Sequence, residues 1–130
     1  MNEFKWVLHG VVLAVHQMLL SEHGGLAGIT DNASLDSALN RPKQRLVCDE
    51  HVSLFELSAS YSYGLASNHP FIDGNKRTAL AISAIFLELN GYTLDADEAE
   101  AVVIFEKLAA GKLSEEELAR WFQISSVVLS

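Results

Sequence analysis

Residues 78–89 form the most apolar long stretch of this chain, and they constrain its fold more than any other feature. Only Thr78, Ser83 and Glu88 are polar within it. A helix that is apolar on most sides has to be enclosed by other elements, and Gly91 follows as a left-handed cap. The stretch therefore predicts a central helix over about residues 75–90.

Helical signals also dominate the first third of the chain. Apolar residues recur at helical spacing over residues 9–23, and a Gly-Gly pair at residues 24–25 stops the run. Asp31 is placed to cap a short second helix through Leu39. We expect Pro42 to end that helix, because the residue before a proline is steered out of the helical region.

Three further helices are predicted by capping boxes, in which two side chains satisfy unpaired N–H groups reciprocally. The pairs that open them are Ser53 with Glu56, Asp95 with Glu98, and Ser114 with Glu117. The fold class is therefore all-α, a bundle of about six helices around the central helix. Residues 42–52, with β-branched Val47 and Val52, leave a short β flap and a plain loop as open alternatives.

Length, charge and cysteine content limit the function classes. A chain of 130 residues predicts a single domain over residues 1–130. Nine basic against 17 acidic residues give a net charge of −8, which argues against direct binding to nucleic acid. The single cysteine, Cys48, fits a reducing compartment. Without a membrane-spanning or signal-type apolar run, we expect a cytoplasmic protein with no membrane partner.

The segment 69–78, with the sequence HPFIDGNKRT, carries the chemistry. It predicts a loop that presents the N–H groups of Gly74, Asn75 and Lys76 at the start of the central helix, where an anion is favoured. Lys76 and Arg77 place two cations at the positive end of a helix dipole. This is unfavourable unless an anion compensates, and phosphate is the obvious one.

Two further side chains complete a hypothetical phosphate-transfer site. Asp73 could hold Mg²⁺ beside a polyphosphate, and His69 is of the residue type that takes a proton from a hydroxyl at neutral pH. Phe71 is interpreted as the structural anchor of the loop. Taken singly, each residue also has an ordinary interpretation: a helix-end histidine, an Asp-Gly-Asn turn and a solvated Lys-Arg pair.

The run HPFIDGNKR resembles the signature of the Fic/Doc family, His-Pro-Phe-x-(Asp/Glu)-Gly-Asn-(Gly/Lys)-Arg. Residues 13–16, 24–25, 39–44 and 86–92 are similar to the death-on-curing branch. The resemblance implies the mostly helical Fic fold, with His69 as general base and Asp73 as Mg²⁺ ligand. Nucleotide phosphates would be bound by Gly74, Asn75, Lys76 and Arg77.

The resemblance also implies a biological role. Death-on-curing toxins belong to type II toxin–antitoxin pairs, so we expect an antitoxin partner whose C-terminal segment packs on this chain. The inhibitory pattern (Ser/Thr)-x-x-x-Glu-(Gly/Asn) of self-regulated relatives is absent from the sequence. The expected target is a protein of the translation machinery, such as a translation factor, whose modification would inhibit growth.

Lys76 decides between two reactions. Family members that transfer AMP usually carry Gly at this position, whereas death-on-curing members carry Lys and resemble kinases that use ATP. A lysine fills space that a glycine leaves open, so the triphosphate has to lie differently. We therefore expect phosphate transfer from ATP to a protein hydroxyl. Nucleotidyl transfer by the same site and a catalytically silent module that tunes the antitoxin's repression are the alternatives.

Three histidines, His9, His16 and His23, recur every seven residues and invite a metal interpretation. Seven residues of helix rise about 10.5 Å, which is too far for neighbouring imidazoles to share one ion. They are interpreted as polar positions on one helical face. The family resemblance further implies that His16 supports the wall of the active site.

Overall fold

The computed structural model describes residues 3–129 and contains six α-helices and a small antiparallel sheet. This confirms the predicted all-α class. The elements in chain order are α1 (His9–His23), α2 (Asn32–Cys48), α3 (Leu54–Asn68), α4 (Asn75–Leu89), β1 (Tyr92–Leu94), α5 (Glu98–Ala109), α6 (Glu115–Ser125) and β2 (Ser126–Val128). The strands pair with Tyr92 opposite Val128 and Leu94 opposite Ser126. Within the described residues, no helix is long and apolar enough to cross a membrane.

Capping chemistry predicts two of the three helix starts correctly. In α3 and α6 the hydroxyls of Ser53 and Ser114 accept N–H bonds, and the glutamates three residues later close the box. The bonds to Ser114 lower the pKa of Glu117. The Asp95 box is wrong. Asp95 donates its N–H to the carbonyl of Ser125 beside the sheet, and α5 begins at Glu98 after Asp97 without a side-chain cap.

The predicted end of α2 at Pro42 is wrong, and so are both the flap and the loop as descriptions of residues 42–48. The helix runs through Pro42 to Cys48, although an internal proline costs about 3 kcal/mol. Burial offsets that cost, because Leu35, Ala38, Leu39 and Pro42 lie along one buried face. The sheet forms elsewhere, between the segments after α4 and after α6.

The centre of the bundle is shared by α3 and α4. α4 packs against α1, α3, α5 and β1, while α3 packs against α2, α4, α5 and α6. Nine of the 15 residues of α3 are buried, against six of 15 in α4. The sequence does not indicate how deeply α3 is buried, because most of its buried residues are small: serine, alanine and glycine.

Small residues let α3 lie close to both neighbouring helices. A Cβ added at Gly64 would lie 3.1 Å from Cα of Ala38 in α2. Toward α4, the hydroxyls of Ser62 and Ser83 hydrogen-bond each other, and Ser83 Oγ lies 3.2 Å from the carbonyl of Ser58. These bonds satisfy buried hydroxyls that would otherwise be costly. α4, which begins beside the candidate site, is thereby fixed to the core.

A shared carboxylate joins the C-terminal helix to α2. Glu115, whose side chain is 15% exposed, forms ion pairs with both Arg41 and Arg45. Arg45 also reaches Glu56 at 3.2 Å, and the Arg41 guanidinium lies 4.6 Å from the ring centre of Tyr63. Among the described residues, Glu115 is the one charged acceptor of the partly exposed Arg41, whereas Arg45 shares Glu115 and Glu56.

Replacing Glu115 should therefore destabilise the bundle. We expect Glu115→Gln to lower the free energy of unfolding by about 1–3 kcal/mol, since two charge-assisted hydrogen bonds lose their charged acceptor. The matched control is Glu116→Gln, because Glu116 is exposed in the same helical turn and interacts equally with the helix dipole. Urea denaturation measures both, and equal losses would contradict the role given to Glu115.

Candidate active site

The loop from residue 69 to residue 74 connects the end of α3 to the start of α4. Two left-handed residues define its path: His69 ends α3 with φ 48° and ψ 55°, and Gly74 precedes α4 with φ 79°. The first is unusual for a side-chain-bearing residue, whereas glycine adopts such angles freely. His69 is exposed, but its neighbour Pro70 is buried.

A second loop, which follows α1, holds this connection in place. The N–H of Thr30 donates to the carbonyl of Pro70 at 2.8 Å, and the N–H of Ile72 donates to the carbonyl of Gly28 at 3.0 Å. The hydroxyl of Thr30 donates to the carbonyl of His69 at 2.9 Å. Gly28 has φ 128°, and a Cβ there would lie 2.8 Å from the end of the Ile72 side chain. These bonds fix the first half of the loop, from His69 to Ile72.

The side chain of Asn75 binds the loop to the first turn of α4. Its Oδ1 accepts the N–H of Phe71 at 3.0 Å, and its Nδ2 donates to the carbonyl of Phe71 at 2.8 Å. Phe71 itself is 1% exposed. The Asn75 carboxamide is therefore already engaged by the protein. For the predicted phosphate contact, Asn75 offers its backbone N–H.

A cavity of about 350 Å³ opens at the start of α4. One wall is the predicted phosphate-binding segment with its neighbour Asp73, and the other belongs to α5. The lining residues of this α4 cavity are Asp73, Gly74, Asn75, Lys76, Arg77, Leu80, Ala101, Val102, Phe105 and Glu106. The structure thus brings five predicted site residues together around one space. His69 does not line it, but begins the same braced loop.

The arrangement of charges distinguishes this cavity from a larger one on another part of the molecule. Lys76 and Arg77 are exposed, and among the described residues neither has a carboxylate within ion-pair distance. A cavity of about 620 Å³ between α2, α3 and α6 contains Arg45 and Arg120, but Glu56, Glu115 and Glu116 also line it, and Arg45 is paired with the first two of these glutamates. In the α4 cavity, two neighbouring cations without an ion-pair partner among the described residues lie in the first turn of a 15-residue helix.

Asp73 carries the predicted metal-binding carboxylate. Its Oδ2 accepts the N–H of Leu26 at 3.1 Å, which orients the group at the cavity edge. Within the described part of the chain, no three His, Cys, Asp or Glu residues lie close enough together to form a set of metal ligands. The three histidines of α1 therefore do not form one either. A single carboxylate suits Mg²⁺, which usually retains waters and takes its other oxygens from substrate phosphates.

Sequence reasoning missed the wall formed by α5 and the bracing by the loop after α1. No motif marks Ala101, Val102, Phe105 or Glu106, and their helical spacing indicated only a packed helix. The signal for the bracing loop was available, because Gly24, Gly25 and Gly28 cluster just after α1. Of the three heptad-spaced histidines, only His16 is buried, at 6% exposure.

Comparison with known proteins identifies the fold family. The model of the Fic/DOC family matches residues 6–87, which is more than half of the chain. The "Protein kinase doc" of Escherichia phage P1 is 34% identical over 108 residues, covering 83% of this chain and 85% of the relative. The chain belongs to the Fic/DOC family. The "Toxin Doc" of Mycolicibacterium smegmatis is 40% identical over 75 residues, covering 57% of this chain and 58% of the relative.

Family membership confirms the predicted resemblance and places this Fic/DOC chain with the Doc-type toxins. The match includes α1, both loops and nearly all of α4. It ends before α5, which forms the second wall of the α4 cavity.

Loss of the Phe71 side chain should loosen the loop and destabilise the fold. We expect Phe71→Ala to lower the free energy of unfolding by about 3–5 kcal/mol, as for other buried phenylalanines. Ile72→Ala is the neighbouring control, because Ile72 is 49% exposed, and it should lose much less. Thermal unfolding measures both. An unchanged midpoint for Phe71→Ala would contradict the anchoring role.

Proposed function

We propose that this Fic/DOC protein is the toxin of a toxin–antitoxin pair and transfers the γ-phosphate of ATP to a hydroxyl of a target protein in the translation machinery. The observation that carries the proposal is the α4 cavity. It joins a helix start, two cations that have no ion pair among the described residues, and the carboxylates of Asp73 and Glu106 in a space of about 350 Å³. The name of the phage P1 relative, "Protein kinase doc", supports phosphate transfer, and the name "Toxin Doc" of the second relative supports the toxin role.

The roles follow from the chemistry of each group. Arg77 can form two parallel hydrogen bonds to phosphate oxygens, and Lys76 supplies a point charge. The N–H groups of Gly74, Asn75 and Lys76 form the positive end of the α4 dipole, where an anion is favoured. Asp73 would hold Mg²⁺, which neutralises phosphate charge when bound. The carboxylate already oriented by Leu26 fits that ion.

His69 is the proposed general base. Its side chain is exposed, so a protein hydroxyl can approach it from solvent. The imidazole takes the hydroxyl proton as the oxygen bonds to the γ-phosphorus. The bond from that phosphorus to its bridging oxygen breaks, and ADP leaves with the electron pair. The braced loop fixes the position of His69 relative to Asp73 and the first turn of α4.

Lys76 favours transfer of phosphate over transfer of a nucleotide. Its side chain occupies space at the first turn of α4 that glycine would leave open, so the proposed ATP lies with its terminal phosphate toward His69. Nucleotidyl transfer by the same residues requires the reverse orientation. A catalytically silent module that modulates the antitoxin's repression would need neither orientation. Variants of His69 and Lys76 distinguish these functions.

Control of such a toxin would come from the antitoxin. Toxin relatives imply that partner, and we propose that its C-terminal segment packs on this chain. Exposed apolar side chains on the described surface, such as Leu8 at 71% and Met18 at 51% on or beside α1, give a segment of this kind apolar surface to bury.

Replacing the proposed base should remove activity without unfolding the protein. We expect His69→Ala and His69→Gln to lose growth inhibition and to lower the transfer rate by about 10²–10⁴-fold, with little change in unfolding midpoint. His51→Ala is the control, because the His51 side chain is 87% exposed on another loop. Full toxicity of a well-folded His69→Ala protein would contradict the base assignment. Toxicity lost while antitoxin binding is kept would exclude the silent module.

Replacing Lys76 tests the orientation of ATP. The wild type should transfer label from the γ position of ATP. Lys76→Gly should lose that transfer and gain weak transfer from the α position, at a backbone cost of about 1 kcal/mol. Lys76→Gln separates charge from space, because it removes the cation and keeps most of the bulk. It should lose γ transfer without gaining α transfer. Transfer from the α position by the wild type would overturn the kinase proposal.

A further inference from the structure

His16 is the one histidine of α1 that reaches the candidate active site. It is 6% exposed, and its Nε2 lies 2.8 Å from the backbone carbonyl oxygen of Asp73. A carbonyl oxygen only accepts hydrogen bonds, so Nε2 carries the proton and the imidazole donates. A buried, directed bond from another helix thus ends on the peptide that links Asp73 to Gly74.

The ring of His16 is itself held in place. It stacks on Phe71 with ring centres 3.7 Å apart and planes 11° from parallel. Its Cδ2 and Nε2 would lie 3.6 Å from a Cβ added at Gly74, so the ring also lies against that residue. Because Phe71 is fixed by Asn75 and by burial, the Nε2–H has a defined direction.

The hydrogen bond determines where the N–H of Gly74 points. In a trans peptide the carbonyl and the N–H of one plane point in opposite directions. With the Asp73 carbonyl bound to His16, the Gly74 N–H points away from α1. Gly74 lines the α4 cavity, and no acceptor for this N–H is found among the described residues. Glycine tolerates either orientation of the preceding peptide, so Gly74 itself does not prevent a flip.

We propose that His16 is a positioning residue that keeps the Asp73–Gly74 peptide oriented so that the Gly74 N–H is available to a phosphate in the α4 cavity. The inference rests on the proposed function for the identity of the anion. The orientation of the peptide itself rests only on the contacts of His16. Without the donor, the peptide can flip and present the Asp73 carbonyl, which repels a phosphate.

Two substitutions separate the donor from the ring. His16→Gln keeps a side-chain N–H at the same number of bonds from Cα and loses the aromatic ring. His16→Phe keeps the ring that stacks on Phe71 and loses the donor. If His16 acts only by filling the core, the Phe variant should be the milder change. If it acts by holding the peptide, the Gln variant should be the milder change.

Nitrogen-15 NMR and ATP binding give readouts that do not depend on turnover. In the wild type, the side-chain shifts of His16 should report the tautomer protonated at Nε2. His16→Phe should shift the Gly74 amide resonance and weaken binding of ATP with Mg²⁺ by about tenfold, since one N–H to phosphate is lost. In His16→Gln the Gly74 resonance should lie closer to its wild-type position. The ATP affinity of that variant should be within about threefold of the wild-type affinity, which is about half of the tenfold loss on a logarithmic scale. Circular dichroism verifies that both variants fold.

The outcomes distinguish this inference from the proposed function. If the Gly74 resonance is the same in the wild type, His16→Phe and His16→Gln, the positioning role is wrong. If the wild type binds no ATP, the proposed function is wrong, and the Gly74 resonance alone then decides whether His16 orients the peptide. If either variant fails to fold, the wild-type tautomer decides, because protonation at Nδ1 alone is incompatible with the bond to Asp73.

Discussion

The two hydrogen bonds between the Asn75 side chain and the backbone of Phe71 join the loop of residues 69–74 to the first turn of α4, and these two segments hold the candidate site residues. One amide satisfies both polar groups of a residue whose side chain is buried in the core. Asn75 is also the first residue of α4, so the loop and the start of the helix cannot shift independently. Pairing with residues 28–30 and stacking on His16 then fix the loop from two further sides. These contacts hold in place the wall of the α4 cavity that the loop and the first turn of α4 form.

The electrostatics of the cavity are unfavourable for the protein alone. Two cations lie at a helix start whose own dipole is positive, and among the described residues they find no carboxylate partner. Arg41 and Arg45, by contrast, are both paired with Glu115. The contrast is the physical reason for assigning an anion to the cavity. Binding of the proposed phosphate would recover the stability that this arrangement gives up.

Much of the fold follows from local rules, and its errors have physical causes. Capping chemistry predicts the start of α3 and of α6, because those bonds involve neighbours in sequence. The prediction that α2 ends at Pro42 fails because burial of Pro42 and the ion pairs of Arg41 and Arg45 outweigh the one hydrogen bond that proline cannot form. The loop motif predicts which residues line the cavity on one side. The opposite wall from α5 and the contact of His16 with Asp73 depend on tertiary packing, and no local pattern encodes them.

The central claim is that the α4 cavity orients ATP for transfer of its terminal phosphate. The most direct measurement is the intact mass of the target protein after incubation with this chain, ATP and Mg²⁺, compared with the same mixture containing the His69→Ala variant. The account predicts that the wild type adds the mass of one phosphate to the target and that the variant adds nothing. A mass increase corresponding to a nucleotide would contradict the account, and so would the same phosphate increment from the His69→Ala protein.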